Sequence, residues 1–299
     1  MSCLPRRPAE TARSQCERSR MQEHAELRIT TLEGKERFMK IGIIGTGLIG
    51  ANLAKKWVAA GHSIRISNDF DPSALDNLAR ETGAQAVPVA DAVKDVEVIV
   101  TTIPLHAIPS LPDGLFDAVP DDVILVDTSN YFPGRDQTIP AIEEGMVESQ
   151  WVEQQIGRPV IKAFNNQLAY TQAHEGKPAG TPGRIAMSVY GDDKTAKTKV
   201  VGLINDLGFD GTDAGPLAQS WRQQPGTPAY RTELTAPELE AALGRAVKSR
   251  SPKLRDLSLK HLEAFGDGFL ASLGKGEHTL GYTSKDVVEM YRRLESQDI

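Results

Sequence analysis

The stretch that decides the fold is MKIGIIGTGLIGANLAKKWVAAG, residues 39–61. An apolar segment of strand length, residues 40–44, runs straight into the pattern Gly45-x-Gly47-x-x-Gly50, and a segment of helical composition follows. Gly45 permits a tight turn, Gly47 lets the main chain approach a phosphate, and Gly50 allows a helix to pack closely on a strand. The unit therefore predicts a site where a helix N-terminus holds the pyrophosphate of a dinucleotide.

The elements predicted after this unit alternate between strand and helix. Strands are predicted at residues 63–68, 84–89, 96–103, 123–126 and 160–164, and helices at residues 72–82, 89–95 and 138–155. This order predicts an α/β fold of the doubly wound, Rossmann type with a mainly parallel sheet. In such a sheet ligands bind in the crevice at the carboxyl ends of the strands.

The chain is predicted to have four segments. Residues 1–38 are polar, rich in Arg and Glu, and lack a sustained apolar period, so we expect a disordered N-terminal extension. Residues 39–166 are the predicted dinucleotide-binding Rossmann domain, and residues 167–220 a small C-terminal α/β annex that completes it. Residues 221–299 are predicted to form an irregular arm and a helical tail. Since the first strand begins directly after Met39, we expect that the native protein starts there.

The annex and the tail have their own patterns. Strands at residues 184–190 and 209–212 are expected to flank an amphipathic helix at 194–207. In the tail, a helix is expected near residues 236–248, and two further amphipathic helices are expected to pack through their apolar stripes. The residues of these stripes are Leu254, Leu257, Leu262, Phe265 and Phe269 on one helix, and Val287, Tyr291 and Leu294 on the other.

Composition narrows the class of protein. The net charge of −6 argues against a general nucleic-acid or anionic-membrane surface, and apolar runs such as residues 96–104 are too short to span a bilayer. Both cysteines, Cys3 and Cys16, lie in the N-terminal extension, which leaves no disulfide framework or thiolate metal site in the body of the chain. The histidines show no HExxH pattern. We therefore expect a cytoplasmic protein that binds neither nucleic acid nor membrane and holds no metal.

The adenosine end of a dinucleotide is recognised at the end of the second strand, where this chain has Ser67, Asn68 and Asp69. Ser67 and Asn68 can hydrogen-bond either a ribose hydroxyl or a 2′-phosphate. Asp69 would repel a phosphate if it points inward, or else faces water or caps the next helix. The choice between NAD and NADP stays open on this pattern.

The nicotinamide half is expected at the ends of later strands. Ile103 and Pro104 follow one strand, residues 127–130 follow the next, and Asn165 and Asn166 follow a third. The asparagines can bind a carboxamide or a substrate carbonyl, or can satisfy turns. His106 is expected near the same crevice, where it could shuttle a proton or else cap a helix or face water.

Several motifs together resemble the coenzyme F420-dependent NADP oxidoreductase family, in particular its bacterial members. They are GIIGTGLIGANLAKKWVAAGHSI, IVTTIP, VDTSNYFPGRD, VIKAFNN and VYGDD…GPL, within residues 39–230. The resemblance implies an NADP-binding Rossmann domain, usually dimeric. It also implies direct hydride transfer between nicotinamide and a deazaflavin (F420) or flavin-like ring, with no obligatory catalytic side chain.

The resemblance also implies roles for individual residues. Phosphate contacts are expected from Thr46, Gly47, Leu48 and Ile49, adenosine-end contacts from Ser67 and Asn68, and nicotinamide-side contacts from Ile103, Pro104, Asn165 and Asn166. The family commonly has an arginine after the serine of the second strand, and here Asn68 and Asp69 stand there instead. That departure leaves NAD as an alternative to NADP.

The leading hypothesis is therefore an NADP(H)-dependent oxidoreductase that acts on a small hydride donor or acceptor. One alternative is a 3-hydroxyisobutyrate-type dehydrogenase, which needs a catalytic lysine and a large all-helical second domain without an obvious counterpart in this sequence. Another alternative is a non-catalytic module that senses NADP(H) and signals through the tail.

Overall fold

The computed structural model describes residues 38–68, 71–266, 268–269, 272 and 282–294. Asp69, nearly all of the predicted N-terminal extension and part of the predicted tail lie outside the described residues. The chain divides into Met1–Met39 and Lys40–Ile299, and all the described helices and strands belong to the second unit.

The described residues form an eight-stranded sheet in the order β3-β2-β1-β4-β5-β6-β7-β8. Strands β1 to β6 pair in parallel, β7 runs antiparallel to β6, and β8 is parallel to β7. The predicted Rossmann-type α/β fold is thus confirmed. The strands are β1 (Lys40–Ile44), β2 (Ser63–Ser67), β3 (Gln85–Ala86), β4 (Val98–Thr101), β5 (Ile124–Asp127), β6 (Val160–Lys162), β7 (Ala186–Tyr190) and β8 (Asp210–Gly215).

Helices connect and cover these strands. They are α1 (Leu48–Ala59), α2 (Pro72–Thr82), α3 (Val89–Ala92), α4 (Pro133–Asp136), α5 (Pro140–Glu143), α6 (Glu148–Ile156), α7 (Ala169–His174), α8 (Lys194–Asp206), α9 (Ala236–Arg245), α10 (Ser251–Glu263) and α11 (Ser284–Leu294). Short 3₁₀ turns occur at Leu105–Ser110, Leu217–Gln223 and Lys248–Arg250. In the described part of the chain, no helix has the length and apolarity to cross a membrane.

The single helix predicted at residues 138–155 is wrong. Two helices, α5 and α6, occupy this region, and Gly145 between them has a φ of +103°. That conformation strains any residue with a Cβ, so the glycine ends the first helix and lets the chain change direction. Glu148, the first residue of α6, is thereby placed in the protein interior.

The central strands are buried because their side chains are apolar on both faces. Ile41 and Ile43 of β1 and all of β4 are inaccessible to solvent. Gly42 lies under α3 so closely that a Cβ there would sit 1.8 Å from the carbonyl oxygen of Ala92. The sheet is therefore covered by helices packed almost in backbone contact.

A second apolar cluster joins the arm and tail to the sheet domain. Its buried members come from the β5–α4 and β6–α7 connections, the arm, α10, the segment that follows α10, and α11. They are Phe132, Leu168, Tyr230, Leu254, Leu262, Phe269, Val287, Val288, Tyr291 and Leu294. Leu257 and Phe265 pack against it partly buried. The predicted packing role of the apolar stripes is confirmed, but Phe265 and Phe269 lie beyond the end of α10 at Glu263 and not on that helix. The same packing places the arm beside the carboxyl ends of the strands.

Candidate active site

The three glycines of the turn between β1 and α1 differ in how much space a side chain would have at each position. Gly45 has a φ of +102°, and a Cβ there would lie 2.7 Å from Ile103 Cγ2. A Cβ at Gly50 would lie 2.1 Å from the carbonyl oxygen of Gly45. Around Gly47, in contrast, no heavy atom lies within 4 Å of the Cβ position, and its φ of −66° is open to any residue. Gly47 therefore leaves free space where the other two glycines prevent clashes.

This free space lies at the N-terminus of α1. Gly47 precedes the helix without a side-chain cap, and its carbonyl oxygen accepts the N–H of Ala51 at 2.9 Å. The N–H groups of the first helical turn have no partner within the helix and, with the helix dipole, favour an anion there. Thr102 Oγ1 donates to the carbonyl oxygen of Gly45 at 2.6 Å, which fastens the turn to the end of β4. The turn is thus rigid and has its donors exposed.

A first cavity of about 340 Å³ lies on the β2 side of the turn, and we call it the adenosine-side cavity. Gly45, Thr46, Ser67 and Asn68 line it together with residues 102–111 in part. Asn68 Nδ2 donates to Thr46 Oγ1 at 2.8 Å, so the side chain after β2 is tied to the glycine turn. The described residues of its lining carry no charged side chain. Because Asp69 lies outside the described residues, its predicted orientation stays a prediction.

A second cavity of about 330 Å³ lies on the β5 and β6 side of the turn, and we call it the nicotinamide-side cavity. It is lined by Leu48 and Ile49 of the turn, by residues 128–130 after β5, and by Phe164 and Asn165 after β6. Both cavities share Gly47, Thr102, Ile103 and Pro104. The two cavities meet at these four residues beside the carboxyl ends of the parallel strands, and we call them together the crevice.

Asn165 presents an oriented amide to the nicotinamide-side cavity. Its Nδ2 donates to Asn130 Oδ1 at 3.0 Å and to the main-chain carbonyl oxygen of Gln223 at 3.0 Å. The main-chain carbonyl oxygen of Asn165 accepts a hydrogen bond from Asn130 Nδ2 at 3.2 Å. Its Oδ1 is buried and has no hydrogen-bond partner among the described residues. A buried acceptor without a donor is costly, so this atom favours a ligand N–H group.

The other predicted asparagine lies elsewhere. Asn166 is fully buried and does not line either half of the crevice. Its carbonyl oxygen accepts the N–H of Arg231 at 2.9 Å, which links the end of β6 to the arm. Gly50 is likewise buried and serves the packing of the turn rather than lining the crevice.

A buried charged network supports the segment after β5. Lys162 Nζ lies 2.9 Å from Asp127 Oδ2, and Ser129 Oγ donates to Asp127 Oδ1 at 2.6 Å; Lys162 and Asp127 have no solvent exposure. Glu148 Oε2 accepts the N–H of Tyr131 at 3.1 Å. Burial raises the pKa of Glu148 to about 8, although the charge of Lys162 opposes this. The network fixes residues 129–131 at the wall of the crevice.

His106 is held away from the crevice. Its Nδ1 lies 2.8 Å from Asp136 Oδ1, and it does not line either cavity. Burial acts to raise the pKa of Asp136, but hydrogen bonds from Arg135, His106 and the N–H of Phe132 outweigh it and hold that pKa below its usual value. Of the two interpretations of His106, this placement favours a partner of a buried carboxylate over a proton shuttle.

Two arginines in the nicotinamide-side cavity were not singled out from the sequence. Arg135 belongs to α4, and Arg231 belongs to the arm, where it has a φ of +58°. Arg135 lies in the motif VDTSNYFPGRD, which contains the end of β5, so a position near the strand ends could have been predicted for it. The sequence around Arg231 did not indicate that this residue lies at the site, because only the packing of the arm against α10 and α11 brings it to the crevice.

Residues 40–131 match the family described as "NADP oxidoreductase coenzyme F420-dependent". The stated resemblance is thus confirmed for the part of the Rossmann domain that carries the glycine turn and β1 to β5. The family's description is that of an NADP oxidoreductase, which agrees with the predicted class of enzyme.

Two curated relatives are similar to this chain over short segments. The Escherichia coli (strain K12) protein YjhV is 41% identical over 75 residues, which is 25% of this chain and 55% of that protein. The mitochondrial 3-hydroxyisobutyrate dehydrogenase of Drosophila melanogaster is 30% identical over 95 residues, 31% of this chain and 29% of that enzyme. The matches therefore span about half or less of these relatives.

A solved structure supports the fold over a longer stretch. The Sinorhizobium meliloti protein SMa0349 aligns with a TM-score of 0.55 and 29% identity, covering 67% of this chain and 97% of that one. The alignment supports the α/β fold over two thirds of this chain.

Proposed function

We propose that this protein is an NADP(H)-dependent oxidoreductase that moves a hydride between nicotinamide and a deazaflavin, a flavin-like ring or another small acceptor. The observation that carries the proposal is the pair of neighbouring cavities, which meet at an open glycine turn at the carboxyl ends of the parallel strands. NAD stays the alternative cofactor, since the described lining of the adenosine-side cavity holds no cation for a 2′-phosphate.

The residues fit a dinucleotide on two independent grounds. The space above Gly47 and the N–H groups of Leu48 and Ile49 would receive the pyrophosphate. The unpartnered Asn165 Oδ1 would accept the carboxamide N–H of the nicotinamide. Between these points, Ile103 and Pro104 form an apolar wall against which a ring can lie. When bound, the cofactor supplies or receives the hydride.

Catalysis would then rest mainly on alignment. Hydride transfer between two rings held face to face needs short distance and fixed orientation, which a rigid apolar wall and an oriented amide provide. The network of Asp127, Lys162 and Ser129 keeps the opposite wall in place. We infer no obligatory side-chain acid or base for this step.

The 3-hydroxyisobutyrate-type alternative finds less support at the site. Such enzymes need a lysine beside the substrate, and no lysine is among the described residues that line the nicotinamide-side cavity. Lys162 lies at the end of β6, but it is fully buried in its pairing with Asp127. The similarity to the Drosophila enzyme covers 31% of this chain and 29% of that enzyme, which is too little to carry its activity over to this chain.

An acceptor screen tests the proposal. The full chain is incubated with NADPH or NADH and, in separate reactions, with F420, FMN and a series of small aldehydes, while the absorbance of the reduced nicotinamide is followed. We expect oxidation of the cofactor with at least one acceptor. Tight cofactor binding without turnover on any acceptor would instead favour the sensing module.

We further propose a cytoplasmic homodimer, for which light scattering after gel filtration is the test of assembly.

A further inference from the structure

The charges around the nicotinamide-side cavity have one sign. Of its described lining residues, Arg135 and Arg231 carry the charged side chains, and neither an aspartate nor a glutamate is among them. The other lining groups are apolar or neutral, such as Ile103, Phe132 and Asn165. A concave site with low-dielectric walls and charges of one sign concentrates a field that attracts the opposite charge.

Arg231 is a partly buried cation without a counter-ion among the described residues. Its guanidinium lies 4.9 Å from the ring centroid of Tyr230 and 5.6 Å from that of Tyr291, and its Nη1 donates to the Tyr291 hydroxyl at 3.2 Å. Its Nε is buried without an acceptor, and no carboxylate of the described residues pairs with it. A buried charge normally requires a partner, because its desolvation is otherwise uncompensated.

The position of Arg231 is imposed by the fold. Its backbone adopts the left-handed region, with a φ of +58°, and its N–H is fixed to the carbonyl oxygen of Asn166. A non-glycine residue in this region is uncommon and persists where the surrounding structure determines it. Here two aromatic rings of the apolar cluster and the end of β6 hold the guanidinium at the cavity.

Arg135 approaches from the other side with spare donors. It pairs with Asp136 through Nη2 at 2.8 Å, and Nη2 also donates to the carbonyl oxygen of Asn130 at 2.5 Å. Its side chain remains 46% exposed. Its Nη1 donates to no acceptor among the described residues. Because Arg135 lines the cavity, this nitrogen of the guanidinium is available to a ligand there.

We propose that the nicotinamide-side cavity recognises an oxyanion on the second substrate, with Arg231 as the principal anchor and Arg135 as an accessory one. This deepens the proposed function and rests on it: the hydride acceptor or donor is a small compound that carries a carboxylate or a phosphate. Arginine suits this task because its rigid fork matches both oxyanions in two-point contact.

The test measures binding of oxyanions to the full chain by calorimetry, and it first establishes which of NAD⁺ and NADP⁺ binds more tightly. With that cofactor at saturation, oxalate, malonate, succinate and inorganic phosphate are titrated separately, with sodium chloride at equal ionic strength as the reference. The same titrations are repeated with Arg231→Gln, Arg231→Lys and Arg135→Gln. Arg222→Gln is the matched control, because Arg222 also lies over an aromatic ring, 4.5 Å from the centroid of Trp221, but does not line the crevice.

We expect saturable binding of at least one oxyanion to the wild-type complex. Arg231→Gln should weaken it roughly tenfold to a hundredfold, as for loss of a charge-assisted contact, while Arg231→Lys recovers part of the affinity. Arg135→Gln should have a smaller effect, and Arg222→Gln none. Whether carboxylates or phosphate bind identifies the source of the oxyanion. Cofactor affinity should stay within about twofold in all four variants.

Two results would overturn the inference and leave the proposed function standing. One is cofactor binding with no saturable oxyanion binding to the wild type. The other is a parallel loss of cofactor affinity in Arg231→Gln, which would mean that the arginine serves the cofactor's own diphosphate. Failure of the wild-type protein to bind either cofactor would overturn the proposed function, and the inference with it.

Discussion

At the scale of single residues, the glycines of the turn have two different roles. Two of them are needed for packing inside the protein, and the third is proposed to leave room for the ligand. Gly45 and Gly50 are required by contacts inside the protein, since a Cβ at either position meets backbone atoms within 3 Å. Gly47 is required by nothing in the protein, because its Cβ position is open. A substitution at Gly47 should therefore act on the ligand, whereas substitutions at the other two should act on stability.

Gly47→Leu should abolish cofactor binding with little change in stability. The added side chain would occupy the space proposed for the pyrophosphate, and the φ of −66° tolerates it without strain. Calorimetry with the preferred cofactor measures the affinity, and thermal unfolding checks the fold. Gly244→Leu, at an exposed and equally open position of α9, is the control and should bind as the wild type does. Retained affinity in Gly47→Leu would contradict the assignment.

Gly50→Ala should have the opposite profile. Its methyl group would be forced to 2.1 Å from the Gly45 carbonyl oxygen and 2.5 Å from Thr102 Oγ1, so the turn must move away from β4. We expect a loss of about 1–3 kcal/mol in the free energy of unfolding by urea. Gly202→Ala is the control, because Gly202 lies inside α8 with open space around its Cβ position and should gain stability. Equal stability of the two variants would contradict the packing role.

The buried carboxyl of Glu148 predicts a pH dependence of stability. Its pKa is raised to about 8 in the folded protein by burial, above the usual 4.5. The folded state therefore keeps a proton that the unfolded chain releases, and the resulting stabilisation, full below pH 4.5, is lost as the pH rises to about 8. Glu148→Gln should remove this decline. Between pH 5 and pH 9 the free energy of unfolding of the wild type should therefore fall by about 4 kcal/mol more than that of the variant.

Urea unfolding between pH 5 and 9 measures that difference. Glu240→Gln, an exposed glutamate on α9, serves as the control and should follow the wild-type curve. If Glu148→Gln also runs parallel to the wild type, the carboxyl is already ionised in the folded protein.

At the scale of elements, the sequence was most informative where a strand is buried on both faces. The run at residues 96–103 contains β4, and KIGII is β1, because a parallel sheet covered by helices leaves no polar face. The connection after β5 was misread as one helix, since composition alone cannot locate the break that the positive φ of Gly145 imposes. Glu148 and Lys162 gave no signal as partners in one buried network, because a charge in a short sequence window looks solvated.

The crevice shows the same division between local and tertiary information. Strand-end residues such as Ile103 and Asn165 were predictable, because the carboxyl ends of parallel strands meet at one edge. Asn166, adjacent in sequence, points into the interior instead. Arg231 could not be predicted, since it reaches the crevice from an arm of irregular structure that the apolar cluster of α10 and α11 positions.

At the scale of the whole molecule, the Rossmann core and the arm line one cavity, through which the proposed cofactor site and the arm would be coupled. The nicotinamide-side cavity is bounded by the Rossmann core through Ile103 and Asn165 and by the arm through Arg231. The Rossmann core would position the nicotinamide, and the arm would select its partner. This arrangement explains how a widespread cofactor fold acquires a particular acceptor without changing the glycine turn.

The most direct test of the central claim is a calorimetric titration of the wild-type protein with NADP⁺, NADPH, NAD⁺ and NADH. We expect saturable binding of at least one pair, with one dinucleotide per crevice. Absence of saturable binding for all four, with a protein that unfolds cooperatively, would contradict the claim that this crevice holds a nicotinamide dinucleotide.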